Sequence, residues 1–251
     1  MPSLRCLPAF LLLALASASP SSLSSLSSTA PAPSLARAPN VLVVYSTETG
    51  HTKTLALAIA DGARKGGAVV KTQAVKDTNF TTDVLEWADA ILLGSPVHYG
   101  NPASELLAWV ETDWEAGWTD PRFATKTGAV FATGGGIAQG IEHVLASLTR
   151  ILWSFRIRVV TPNPTRSGFS SYGAIGITGT PPYNQTGPGL AEGFISEGNA
   201  LGADVAKEAA MLLSTCGTAC SESGRAAAVR RGAEDAEAEA EARHRGWGYA
   251  T

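Results

Sequence analysis

The fold predicted for this chain of 251 residues follows chiefly from one segment, Val41-Leu42-Val43-Val44-Tyr45-Ser46-Thr47-Glu48-Thr49-Gly50-His51-Thr52. An apolar, β-branched run of strand length passes into hydroxyl residues and a glycine. From Lys53 to Lys65, apolar residues recur four apart on one face, which predicts a helix. A strand that leads into a helix through such a loop directs backbone N–H groups and the positive end of the helix dipole toward the loop. That arrangement binds anions.

The residues of this first loop favour one kind of anion. Four hydroxyl side chains add donors, and Gly50 allows close approach of the backbone. The spacing matches neither G-x-x-x-x-G-K-[ST] nor G-x-G-x-x-G, which argues against a triphosphate loop and a dinucleotide fingerprint. A single terminal phosphate suits the loop best. The alternative is a helix start with several capping hydroxyls, and the loop alone leaves both interpretations open.

Composition excludes several classes of function. A formal net charge of -3 argues against a nucleic-acid-binding protein and against a strongly acidic docking protein. Beyond the first forty residues, apolar runs are shorter than a membrane span, so we expect no integral membrane segment in the mature chain. Cys216 and Cys220 lack metal-site spacing, and two incidental thiols are favoured over a bridge between them. No metal site is expected.

Residues 1–39 are predicted to be a targeting leader. They contain no Asp or Glu, and Arg5 precedes an apolar run and small residues in the order of a secretory signal peptide. The Ser-rich segment that follows is typical of a transit peptide, as in a bipartite plastid presequence, or of a disordered spacer. N-x-T sequons at Asn79 and Asn184 are compatible with this route. We expect entry into the secretory pathway, with a secreted or organellar destination left open.

Strand and helix patterns alternate through residues 40–215. Strands are predicted at residues 41–45, 68–75, 90–94, 128–132 and 157–160, and helices at 53–65, 82–87, 102–110, 141–153 and 190–213. The Gly/Pro/Thr-rich residues 161–189 are predicted to be a loop. This alternation predicts a doubly wound α/β domain, in which ligands bind beyond the carboxyl ends of the strands. The Ala/Glu/Arg-rich residues 216–251 are predicted to be a partly helical or disordered tail.

Three predicted strands end in unusual loops that would share one edge of the sheet. The first loop is residues 46–52, the second is residues 95–102, and the third is residues 132–140. A phosphate cradle, an aromatic-bearing turn and a glycine-rich turn can hold a phosphate at one end and a planar ring at the other. Each loop alone is compatible with ordinary connection chemistry. Together they indicate a ligand site.

The motifs Y-S-T-E-T-G-H-T, G-S-P-V-H-Y-G-N and A-T-G-G-G-I-A-Q-G resemble those of the flavodoxin-like fold. Within that fold they most resemble the WrbA family of FMN-dependent NAD(P)H:quinone oxidoreductases. The segment Tyr172-Gly173-Ala174 and the turn containing Gly179 are similar to a Y-G-A segment before that family's last helix. The likeness runs from Val41 to Leu213. It implies a five-stranded parallel sheet in the order 2-1-3-4-5, with helices on both faces.

The resemblance also implies a cofactor site for FMN. Residues of the first loop would bind its phosphate: Ser46, Thr47, Glu48, Thr49, Gly50, His51 and Thr52. Residues of the other two loops would border the ring and ribityl chain: Pro96, Val97, His98, Tyr99, Gly100, Thr133, Gly134, Gly135, Gly136, Ile137, Ala138 and Gln139. Trp118 would flank the nicotinamide or quinone, with a surface anchor as the equal alternative. Because the flavin does the chemistry, no side chain is assigned as catalytic, and His98, Tyr99 and Trp118 are candidate pocket residues.

The chain departs from that family at three places. Bacterial members have T-R-F-G where this chain has Val97-His98-Tyr99-Gly100. Members tend to carry, before the fifth strand, a histidine that approaches the flavin of a neighbouring subunit. This chain has Ser154 and Phe155 at that place. The first loop is one residue longer than theirs and nearer in form to that of electron-carrier flavodoxins. The family still implies a homodimer or homotetramer.

These observations lead to one principal function and two alternatives. The principal prediction is an NAD(P)H dehydrogenase (quinone), in which NADH or NADPH reduces quinones by two electrons through ping-pong kinetics at one flavin site. The first alternative is a one-electron carrier flavodoxin, which the small net charge of -3 disfavours because such carriers use an acidic face for docking. The second alternative is a flavin-free binding module that kept the fold.

Overall fold

The computed structural model describes residues 37–77, 83–114, 117–136, 138–163, 170–178 and 189–215. Most of the predicted leader, both sequons, Ile137, Gly179 and the tail with Cys216 and Cys220 lie outside the described residues. The signal peptide, glycosylation and the nature of the tail therefore remain predictions. Among the helices of the described chain, none has the length and apolarity needed to cross a membrane.

The domain is a mainly parallel sheet covered by helices. The strands of the described chain are β1 (Asn40–Tyr45), β2 (Val69–Ala74), β3 (Ala90–His98), β4 (Asn101–Pro102), β5 (Thr127–Gly134), β6 (Arg158–Val159) and β7 (Ala174–Ile177). The helices are α1 (His51–Lys65), α2 (Asp83–Trp87), α3 (Ser104–Asp113), α4 (Ile141–Ser154) and α5 (Glu192–Thr215), with a 3-10 helix at Pro121–Thr125. The main path is β2-β1-β3-β5-β6 with parallel neighbours. The predicted doubly wound fold is confirmed.

Strand β1 shows why an unbroken apolar run marks the centre of this sheet. Val41 and Val43 face the core beneath α1 and α5, whereas Leu42 and Val44 face the core beneath α3 and α4. All four side chains are fully buried. A strand covered on both faces cannot alternate apolar and polar residues, so the run in the sequence is continuous.

The third strand is longer than predicted. It was expected to end at Gly94, but β3 continues to His98 and turns back into β4, with Val97 opposite Pro102. Pro96, whose ring removes a backbone donor, still lies in register with Thr133 of β5. The extension carries the second loop beyond the edge of the main sheet.

The fifth position of the sheet is shared by two short strands. Strand β6 pairs with residues 127–128 of β5, and β7 pairs with residues 131–134. Strand β7 lies within residues 161–189, which were predicted to be loop, so that prediction is wrong for Ala174–Ile177. Gly173 allows the close approach, because a Cβ there would lie 2.0 Å from the Val130 carbonyl oxygen. An apolar run of four residues among glycines gives too weak a local pattern to identify a strand.

The folded domain includes residues that were assigned to the leader. The Arg37 guanidinium donates to both carboxylate oxygens of Asp89 at 2.7 and 2.8 Å. The backbone N–H of Asn40 donates to the same carboxylate at 2.8 Å. Bidentate pairing of this kind is among the stronger polar contacts. Arg37 is therefore held against the domain that was predicted to begin at residue 40.

Candidate functional site

The first loop contacts each of the other two at the carboxyl edge of the sheet. The hydroxyls of Thr52 and Thr133 are 2.7 Å apart, and both residues are buried. The first and second loops meet where His98 Nε2 lies 3.3 Å from Glu48 Oε2. This is a close approach of an imidazole to a carboxylate and does not count as a hydrogen bond. The loops that the sequence predicted to share an edge are thus in direct contact.

The second and third loops also touch, through glycines. A Cβ on Gly140 would lie 2.7 Å from the Cα of Gly100, and Gly140 has a φ of 97°. A Cβ on Gly134 would meet the Val97 side chain at 3.2 Å. The approach at Gly140 excludes a larger residue, because its Cβ would push against the Gly100 backbone, whereas the contact at Gly134 is tight. Glycine at these positions brings the two loops together.

Helix α1 presents an uncapped N-terminus to this edge. It begins at His51 after Gly50, which has a φ of 93°, and neither a side-chain cap nor an acidic residue occupies its first turn. The Thr47 hydroxyl accepts the Gly50 N–H at 3.1 Å. The Thr49 hydroxyl lies 2.7 Å from His51 Nδ1. These contacts shape the loop, and the backbone N–H groups of the first turn face the region where an anion would bind.

The loop hydroxyls are used differently from the prediction, which made all four of them donors to an anion. Thr47 acts as an acceptor, which leaves its proton available to a ligand. Thr52 shares a hydrogen bond with Thr133, and Thr49 shares one with His51. The hydroxyls of Thr49 and Thr52 thus already have partners within the protein.

Sequence reasoning missed two charged residues beside the first loop. The buried Ser46 hydroxyl donates to Glu105 Oε1, and Lys76 Nζ lies 3.1 Å from Glu105 Oε2. Burial raises the pKa of Glu105, but hydrogen bonds from Ser46 and Lys76 and the charges of Lys76 and His98 outweigh it, so the pKa is lowered. The carboxylate is therefore ionised at neutral pH. Lys76 could have been found, because it follows β2, whose carboxyl end lies at the same edge.

Tyr99 projects from the tip of the second loop. Tyr99 and Gly100 join β3 to β4 with φ values of 49° and 82°, the conformation of a tight hairpin turn. A positive φ strains a bulky residue such as tyrosine. The Tyr99 side chain is fully exposed. The turn therefore holds an aromatic ring outward at the cost of backbone strain.

In the third loop, the side chain of Gln139 packs over Gly135 and Gly136. Cβ atoms on Gly135 and Gly136 would lie 3.2 and 3.1 Å from the amide atoms of Gln139. Ala138 has a φ of 54°, a second strained position at this edge. The amide of Gln139 thus lies against the backbone of Gly135, which is exposed, and of Gly136, which is buried.

Trp118 is not at this edge. Its ring lies 6.3 Å from that of Phe155, and its carbonyl accepts from Arg156 at 2.7 Å. Phe155 follows the end of α4 and precedes β6, which pairs with the start of β5. Helix α3 crosses to the amino edge before β5 begins, so the connecting residues lie there. Within one subunit, Trp118 therefore lies away from the three loops, which favours the surface-anchor alternative over a place beside the pocket.

Comparison with known proteins first defines the class. A family model described as "Flavodoxin domain" matches residues 42–139. A solved structure of a flavodoxin, WrbA-like protein from Agrobacterium tumefaciens superposes with a TM-score of 0.55 at 21% identity, covering 68% of this chain and 97% of that one. This likeness shows the fold, which is that of the flavodoxins.

Curated relatives then narrow the class to a family. An NAD(P)H dehydrogenase (quinone) from Archaeoglobus fulgidus is 30% identical over 167 residues, 56% of this chain and 86% of that protein. A protein named flavodoxin from Aquifex aeolicus is 32% identical over 144 residues, 56% of this chain and 75% of that protein. The chain belongs to the flavodoxin-like family of NAD(P)H dehydrogenases (quinone), and the predicted family and oxidoreductase class are confirmed.

Proposed function

We propose that this protein binds FMN at the carboxyl edge of its sheet and uses NADH or NADPH to reduce quinones by two electrons. The observation that carries the proposal is the contact of all three loops around the uncapped N-terminus of α1. The names of the curated relatives support the same class of reaction. Sequence motifs and geometry thus support one site.

The first loop fits a phosphate monoester. The N-terminus of α1, Gly50 with its left-handed backbone and the available Thr47 proton form a small donor set. This donor set suits one terminal phosphate, and the loop lacks the glycine pattern that accommodates a pyrophosphate. This favours FMN over FAD.

The other loops fit a planar ring. The exposed Tyr99 offers an aromatic face, and aromatic rings stack favourably. The exposed backbone of Gly135, with the exposed amide of Gln139, offers hydrogen-bonding groups for a heterocycle. His98, in the second loop, lies 3.3 Å from Glu48 of the first loop.

Bound FMN would supply the redox chemistry, taking a hydride from NAD(P)H and delivering two electrons to the quinone. The residues of the first loop would hold the phosphate, and those of the second and third loops would orient the ring. Ping-pong kinetics follow from a single site used twice. Positioning side chains such as His98 and Tyr99 are each expected to contribute about 100-fold or less to kcat/KM.

A second candidate is a one-electron carrier. The longer first loop and a relative named flavodoxin favour it. The net charge of -3 gives weak steering toward a redox partner, so we rank it below the enzyme. NADH oxidation with and without benzoquinone distinguishes the two. The enzyme oxidises NADH when benzoquinone is added, whereas a carrier needs a partner protein to reduce it and shows no such oxidation.

Two matched glycines test the cofactor site. Gly50 and Gly67 flank α1 with φ values of 93° and 91°, so valine strains the backbone comparably at either end. We expect Gly50→Val to abolish FMN retention on gel filtration and Gly67→Val to preserve it. Thr49→Lys should also abolish retention by filling the anion site. Equal retention of FAD by the unmodified protein, or FMN loss in both glycine variants, contradicts the assignment.

We also propose that the protein is a homodimer or homotetramer, as its family resemblance implies. Sedimentation at micromolar concentration tests this, and a purely monomeric profile contradicts it. Entry into the secretory pathway remains a proposal on the leader sequence alone. Cleavage beyond Arg37 would remove the Arg37–Asp89 contact, so we expect a mature N-terminus at or before that residue.

A further inference from the structure

Glu105 links the phosphate loop to a cation on another element. One carboxylate oxygen accepts a hydrogen bond from the Ser46 hydroxyl, and the other lies 3.1 Å from Lys76 Nζ. Ser46 belongs to the first loop, Glu105 to the first turn of α3, and Lys76 follows β2. Three separate segments thus meet beside the predicted phosphate site, and the last two of these residues belong to none of its loops.

This arrangement works against an anionic ligand in two ways. A hydroxyl has one proton, and Ser46 donates it to Glu105, so its oxygen turns lone pairs toward any further partner. The carboxylate also places a negative charge one hydrogen bond away from the loop. At such short range, like charges repel appreciably even at the high effective dielectric of a protein surface.

Lys76 acts in the opposite direction. Its ammonium group lies against the far oxygen of Glu105 and is more than half exposed. A cation there offsets the carboxylate and adds positive charge on the side of Glu105 away from Ser46. The neighbouring charged groups, Glu48 and His98, contact each other on the second-loop side.

We propose that Glu105 and Lys76 together set the affinity of the first loop for the flavin phosphate. Glu105 lowers it and Lys76 restores it. The inference rests on the proposed function, because it requires FMN as the ligand. It predicts an effect on the phosphate alone, so riboflavin, which has the ring and ribityl chain without phosphate, is the internal comparison.

Flavin fluorescence titrations of the wild-type protein and three variants test the proposal. Glu105→Gln should tighten FMN binding about tenfold, since it removes a charge near the phosphate. Lys76→Gln should weaken FMN binding about fivefold, less because the side chain is exposed and screened. The double variant should return close to the wild-type value. Riboflavin affinity should change less than about twofold throughout, and added salt should narrow the FMN differences.

Asp61→Asn provides a matched control. It removes one carboxylate charge from an ion pair with Arg64 on α1, and Asp61 is exposed. The site lies about 15 Å along the helix from its N-terminus, estimated from 1.5 Å per residue. At that distance salt screens the charge, so FMN affinity should stay within about twofold of the wild type.

The outcomes separate this inference from the proposed function. If wild-type protein binds FMN but Glu105→Gln leaves its affinity unchanged, the inference is wrong and the proposed function stands. Equal changes for FMN and riboflavin also overturn it, because they indicate a general disturbance of the site. If wild-type protein binds neither flavin, the proposed function and the inference both fall.

Discussion

The two edges of the same sheet are built in contrasting ways. At the amino edge, Trp114, Phe123 and Phe155 pack with ring centroids 4.9 to 5.7 Å apart, and Trp114 is completely buried. At the carboxyl edge, loops meet through hydroxyls, charges and glycines. Aromatic packing makes one end a close-packed core, whereas the other keeps polar groups and backbone facing outward. Stability and ligand binding are therefore expected to respond to different substitutions.

Charged groups follow the same division. At the amino edge, Arg122 lies against Asp120 and Glu86, and the hydrogen bond to Asp120 is the chief cause that raises its pKa. Asp120 caps the N-terminus of the 3-10 helix before β5, where its side chain accepts the Arg122 N–H. At the carboxyl edge, Glu105 contacts groups that face the predicted ligand. Charges stabilise the structure at one end and adjust binding at the other.

The largest expected effect is at the amino edge. Trp114→Ala should lower the free energy of unfolding by about 3–5 kcal/mol, because it opens a cavity among the packed rings. FMN affinity of the folded protein should not change. Urea denaturation and flavin titration measure the two quantities. Trp153→Ala is the control, since that indole is mostly exposed, and its effect should be within about 0.5 kcal/mol. A strong loss of FMN affinity in Trp114→Ala would contradict the expectation that substitutions at the amino edge change stability without changing ligand binding.

The next effect lies between the first and third loops. Thr52→Val should cost about 1–3 kcal/mol, because it leaves the buried Thr133 hydroxyl without its partner. Removing both hydroxyls with Thr52→Val and Thr133→Val together should restore part of that loss. Denaturation of the wild type, the two single variants and the double variant gives the coupling energy. Simple additivity would show that the hydrogen bond contributes little.

Tyr99 allows stability and binding to be moved in opposite directions. Tyr99→Gly should raise the free energy of unfolding by about 0.5–1 kcal/mol, because relief of the positive φ outweighs the extra entropy of glycine. FMN binding should weaken, because the aromatic face is lost. Tyr99→Phe keeps both ring and strain and should leave both quantities unchanged. A destabilised Tyr99→Gly would mean that the turn carries no strain.

The smallest expected effect is the pH dependence of Glu105. Its pKa in the folded protein lies below the ordinary value of 4.5, so the ionised form is favoured by folding. The resulting stabilisation is present above about pH 4.5 and is lost as the pH falls through the lowered pKa. Wild-type protein should therefore exceed Glu105→Gln in stability at pH 7, and the gap should close in acid. Melting curves at several pH values measure this difference in stability. A difference that grows as the pH falls would contradict a lowered pKa for Glu105.

Much of the site could be predicted from sequence because its signals are local. The first loop follows an apolar strand directly, and glycines stand where a turn or a close approach requires them. Parallel strands place their carboxyl ends on one edge, so the three loops had to meet there. The use of each hydroxyl could not be predicted, since Thr52 bonds to Thr133 across 81 positions of the chain.

Periodicity and turn chemistry within a few neighbouring residues predict the alternation of strands and helices and the loops that share the carboxyl edge. Three contacts appear only in the folded domain: Glu105 and Lys76 join Ser46, β7 completes the sheet, and Trp118 lies at the opposite edge. Contacts between segments distant in the chain depend on helix direction and strand register, which no local pattern encodes.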